Sequence, residues 1–164
     1  MKTIITRFSG ILMLAMMLVT LTSCEDETIT SRLEGVWSGE VAQTFFSHRY
    51  GRVTEYTDID MEFYTDPFAT KSGRGVEIDY TSRYRYTECY FNFRVRDGII
   101  YIDYEDGTNV AIRNYVLRGD YFSGVFTDYH TGERLADFRL HKIAGPRYYD
   151  SAWSRATPDE CSAE

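Results

Sequence analysis

From Tyr86 to Ile143 the chain alternates apolar and polar residues in short runs, and most runs end on a dipeptide that favours a tight turn. The runs are Phe91-Asn-Phe-Arg-Val95, Ile99-Ile-Tyr-Ile-Asp-Tyr104, Val110-Ala-Ile-Arg-Asn-Tyr-Val-Leu117, Tyr121-Phe-Ser-Gly-Val-Phe126 and Leu135-Ala-Asp-Phe-Arg-Leu140. Asp97-Gly98, Asp106-Gly107, Gly119-Asp120 and Thr131-Gly132 stand between them. Two-residue loops with positive φ join only neighbouring strands of opposite direction, so the pattern predicts an antiparallel meander. Aromatic residues make up 16% of the chain, with 14 Tyr and 10 Phe, and such residues suit pleated surfaces. The 164 residues have room for one all-β domain with a modest core.

Upstream, a first strand opens at Leu33-Glu-Gly-Val-Trp-Ser-Gly39 and runs to about Phe46; a second covers Thr54 to Thr65. On the second, Ile59, Met61 and Phe63 form the inward face and alternate with Asp58, Asp60 and Glu62. Carboxylates two apart on a strand sit roughly 6.6 Å apart, too far to share one cation comfortably, so these three predict a solvated outer face. Asp66 to Gly73 is expected to be a mobile rim loop, and Ser72-Gly-Arg-Gly75 lacks the helix that a phosphate cradle needs. The segment from Gly75 to Arg96 exceeds the usual strand length. A closed meander also needs an even strand count, which places a break near Ser82 to Arg85. The total is then eight strands in an up-and-down antiparallel barrel, a size that side chains can fill or that can hold one small ligand. Pro146 marks the exit into a tail over residues 144–164, in which Tyr149 and Trp153 lie one helical turn apart. A short helix packed on the barrel and an irregular tail are both compatible with that composition.

The N-terminus is expected to be processed rather than folded. Lys2 and Arg7 precede the apolar run Ile11 to Val19, which is too short to span a bilayer as a permanent helix, and Leu21-Thr-Ser-Cys24 closes it. This arrangement resembles the lipobox of bacterial lipoproteins. The resemblance implies a signal peptide over residues 1–23, a lipid on Cys24, a linker over 24–32 and an address at the outer membrane of the cell envelope. Losing Lys2 and Arg7 and no acid moves the net charge from -7 to -9. So acidic a chain is a poor binder of nucleic acid, and its contact with a membrane is expected through the lipid alone. Glu25-Asp-Glu27 predicts a solvated tether; it also resembles the acidic export signal of surface lipoproteins, which would put the domain on the outer face.

Gly35-x-Trp37 on the opening strand, with a meander that ends in Phe138-x-Leu140, resembles the lipocalin-like families, including small bacterial lipoproteins with calycin-type barrels. The resemblance covers residues 33–143. It implies a barrel end closed by Trp37, with Arg139 of the last strand as the nearest match to the family's arginine. Simple alternation nevertheless puts Arg139 with Asp137 and His141, opposite the apolar set Ala136, Phe138 and Leu140. The architecture, together with aromatic inward faces, implies non-enzymatic binding of a small apolar or amphipathic molecule. Its lining would come from Ile59, Met61, Phe63, Phe91, Phe93, Ile100, Ile102, Phe122, Phe126 and Phe138. Should these fill the interior, the alternative is a solid barrel whose outer wall meets a protein or glycan of the envelope.

Other chemistry is sparse. Cys89 and Cys161 are candidates for a disulfide in an oxidising compartment, or Cys89 is a small buried hydrophobe. His48, His130 and His141 have no metal-ligand spacing, and no catalytic motif, metal site or cofactor site is expected. A catalytic role would need a deep cleft with two or more convergent perturbed groups.

Overall fold

The computed structural model describes residues 25–82 and 85–145. Among them eight strands close into an up-and-down antiparallel barrel: β1 (Gly35–Ser47), β2 (Gly51–Asp66), β3 (Ala69–Ser82), β4 (Arg85–Arg96), β5 (Ile99–Tyr104), β6 (Asn109–Arg118), β7 (Tyr121–Asp128) and β8 (Arg134–Ala144). Each strand pairs with the next, and β8 returns to β1 over Gly39↔Leu140 and Val41↔Phe138. The tight turns fall where the dipeptides predict, with φ of 54° at Asp97, 72° at Gly98, 89° at Gly107 and 72° at Gly132. The break expected near residues 82–85 separates β3 from β4.

The ten residues expected to line a cavity are the core. None is more than 8% exposed, and all lie in one cluster. Phe63 meets Phe91 and Phe93 edge-on at 5.4 and 5.3 Å between ring centres, and Phe122 meets Phe138 at 4.8 Å. Side chains with so little accessible surface leave no water-sized void among them. The part of the interior that they occupy is therefore solid, and each large apolar side chain there contributes about 1.5–3 kcal/mol.

Three local expectations are corrected. The stretch taken for a rim loop is mostly strand, because β3 begins at Ala69 and only Pro67 and Phe68 lie between β2 and β3. Its glycines make room for rings: a Cβ on Gly75 would stand 2.2 Å from the Phe91 ring. Of the three alternating acids on β2, only Asp58 is fully exposed; Asp60 accepts a hydrogen bond from the Tyr80 hydroxyl at 2.7 Å, and Glu62 is buried. The supposed linker over 24–32 is helical from residue 25 to residue 33, here α1.

α1 is amphipathic. It buries Asp26, Thr30 and Leu33, with Ile29 half-buried, one stripe at i, i+3, i+4 and i+7. Asp26 is buried because the Asp97-Gly98 turn supplies donors: Oδ1 accepts the Gly98 N–H at 3.0 Å, and Oδ2 accepts the Asp97 N–H and the Lys71 ammonium, each at 3.4 Å. The helix thus stoppers the barrel end that holds the β2–β3 and β4–β5 turns.

Trp37 sits beneath this stopper, fully buried, and its indole N–H donates to the Leu33 carbonyl at 2.6 Å. Its expected partner is corrected. Arg139 is exposed on the outer wall, and the cation over the indole is Lys142, with Nζ 4.7 Å from the ring centre. The same ammonium donates to the carbonyls of Arg32 and Glu34 at 3.0 and 2.7 Å, which ties β8 to the end of α1.

Candidate functional site

The barrel interior changes character along its axis. On β3 the inward positions run Gly73, Gly75, Glu77, Asp79, since Glu77 lies opposite Met61 and Cys89, and Asp79 opposite Ile59 and Thr87. From β5, Tyr104 reaches past β4 and donates its hydroxyl to Glu77 Oε2 in a short hydrogen bond, its ring 5.6 Å from that of Phe91. Glu77, Asp79, Thr87, Cys89 and Tyr104 all keep partial solvent access, as do Val41 and Ala136 on the facing strands. Glu77 and Tyr104 are nevertheless crowded by protein strongly enough that desolvation dominates their titration. A group that water can touch but that protein surrounds lies on a concave surface. In the half of the interior away from α1, here called the cup, water reaches the inward face, and two carboxylates and a phenol stand on one side of it next to the packed core.

The electrostatics follow from that position. Desolvation pushes the Glu77 carboxyl up to about 7; the Tyr104 hydrogen bond pulls it down, and Asp79 adds to the rise by its charge and by a hydrogen bond. Desolvation also raises Asp79, partly countered by a hydrogen bond from Glu77. Both shifts run upward, and Glu77, with the larger one, keeps its proton to about pH 7. Tyr104 is held well above the usual phenol range, by desolvation first and then by the Glu77 charge.

A second concavity lies on the outer wall. It measures about 510 Å³ and is bordered by Glu40, Ala42 and Thr44 on β1, Thr54 and Tyr56 on β2, and Arg134, Asp137 and Arg139 on β8, with Asn114 and Ser123–Val125 beyond. Phe138 reaches it from the core.

Other expected residues are placed as follows. Cys89 is half-buried, faces the cup and is disulfide-bonded. Its expected partner Cys161 lies outside the described residues, as do Cys24, residues 1–23 and the tail from Pro146. His48, His130 and His141 belong to the β1–β2 hairpin tip, the β7–β8 turn and the outer face of β8, and His141 packs its ring 5.4 Å from that of Tyr121. Among the described residues no three His, Cys, Asp or Glu side chains group as a metal site. Glu77, Asp79 and Tyr104 were not anticipated as a set. Their signal is the alternation Gly73, Gly75, Glu77, Asp79, which is hidden once Gly73 is assigned to a loop.

No known family model matches the chain, and no characterised protein sequence is similar to it. Among solved structures it is similar to a redesigned β-barrel, with 13% identity over 70% of this chain and 94% of that one and a TM-score of 0.50. At that identity the likeness concerns the fold alone: a closed eight-stranded barrel, compatible with lipocalin-like architecture.

Proposed function

We propose that this chain is a lipid-anchored binding barrel of the bacterial outer membrane, which takes a small amphipathic molecule in the cup opposite α1. The single observation that carries the reading is the axial division of the interior, packed next to α1 and accessible beyond it. Because the accessible wall holds Glu77, Asp79 and Tyr104, the ligand's polar end is a hydrogen-bond donor or an ammonium, and its apolar part rests on the core floor. The expected lining of ten apolar side chains is packed core and holds no ligand, so that expectation fails and the site proposed here is a different one. The anchor rests on Leu21-Thr-Ser-Cys24 and the basic, apolar start before it.

The reading is tested by calorimetric titration of the mature protein, in detergent at neutral pH, with octylamine and octanoate. Octylamine is expected to bind, octanoate to bind at least tenfold more weakly, and the double variant Glu77→Gln, Asp79→Asn to erase the difference. Equal binding of the two probes, or none of either, rejects the cup. The proton held at Glu77 favours a second reading, general acid–base chemistry on the bound molecule. Binding stands first because, among the described residues, no nucleophile activated by a base stands in the cup.

A further inference from the structure

We infer that the outer-wall groove is a second binding site and that its ligand is a short, uncharged stretch of oligosaccharide. Its size, about 510 Å³, falls within the range of about 300–1,000 Å³ that ligand sites occupy. Its lining excludes the other common ligand classes. Glu40 and Asp137 balance Arg134 and Arg139, so the groove carries no net charge to select a phosphate or a metal ion. Arg134 is already paired with Asp137. Apart from Phe138 and a few small or aliphatic positions, the walls are hydroxyls, an amide and charged groups, which gives an aliphatic ligand little to rest on. What remains suits a polyhydroxylated chain: planar carboxylates and guanidinium groups pair with vicinal hydroxyls in two-pronged fashion. Tyr56, 67% exposed at the groove wall, offers a ring face for the C–H side of a sugar.

The groove does not stop at Tyr56. Alternation along the β1–β2 hairpin carries the same outer face from Ala42 and Thr44 to Phe46, which is 75% exposed and lies opposite Arg52. A chain longer than the groove would continue along this arm, so binding strengthens with ligand length.

The test is titration of the full-length mature protein with hexasaccharides and disaccharides of β-1,4-linked N-acetylglucosamine, β-1,4-linked glucose and α-1,4-linked glucose, followed by NMR and calorimetry. At least one hexasaccharide is expected to bind with a Kd of about 1 mM or tighter, and more tightly than its disaccharide. Tyr56→Ala is expected to weaken it at least tenfold and Phe46→Ala to reduce the gain from length. Phe68→Ala, at the opposite barrel end and 96% exposed, is expected to leave it unchanged. Failure of all three hexasaccharides to bind, or binding indifferent to Tyr56→Ala with the fold intact by circular dichroism, overturns the proposal. The octylamine titration addresses different residues and stands or falls separately.

Discussion

Glu77 is where pH acts most directly on this barrel. Its carboxyl titrates near 4.5 in an open chain and at about 7 in the folded one. Between those values the folded chain keeps a proton that the unfolded chain has released. The stability that this proton contributes is therefore full below about pH 4.5, is lost as pH rises through about 7, and then levels off. The span corresponds to roughly 3 kcal/mol, and the upward shift of Asp79 acts in the same direction. Glu77→Gln keeps an acceptor for Tyr104 and a donor for Asp79 without the charge. Thermal melts from about pH 4 to about pH 8 should show the wild-type Tm falling across that window and the variant nearly flat, with the variant the more stable at the alkaline end. A wild-type Tm that rises over the same window contradicts the assignment of the proton to this pair.

At the scale of the element, α1 is the part of the molecule that its own sequence conceals. Glu25 to Leu33 contains only Ile29 and Leu33 as large apolar residues, so it reads as a tether. It folds where Asp26, itself buried, finds part-buried backbone donors in a turn some seventy residues away, and no local pattern announces that. Asp26→Ala would leave those amides without an acceptor, at a cost of about 1–3 kcal/mol. The variant is expected to melt lower and to exchange the Asp97 and Gly98 amide hydrogens faster, measured by NMR. If those amides stay equally protected, the clasp is not what holds the helix. The strands were far more legible, since alternation and glycine turns act over neighbouring residues. Even the closing cation could be found by alternation: the inward set Ala136, Phe138 and Leu140 leads to Lys142, whereas Arg139 falls on the other face. The cup's acids are harder to see, because Gly73, which has the look of loop punctuation, makes space for the Phe93 ring.

For the molecule as a whole, closure of the sheet follows from eight strands of sufficient length, and the address proposed above depends on Cys24. Cys24→Ser should abolish acylation, so that the chain leaves the membrane fraction for the soluble one. Mass spectrometry of the wild type should find the N-terminus at residue 24 carrying acyl chains. An unprocessed N-terminus in membrane-extracted protein would remove the anchor from the account. With the anchor in place, α1 acquires an orientation as well as a packing role. A lipid on Cys24 would lie next in sequence to the pole that α1 plugs, and the hairpin bearing Phe46 and Tyr50, at the opposite end of the barrel, would then point away from the bilayer. In that arrangement a molecule bound for Glu77 would enter from the aqueous side rather than from among the acyl chains beneath.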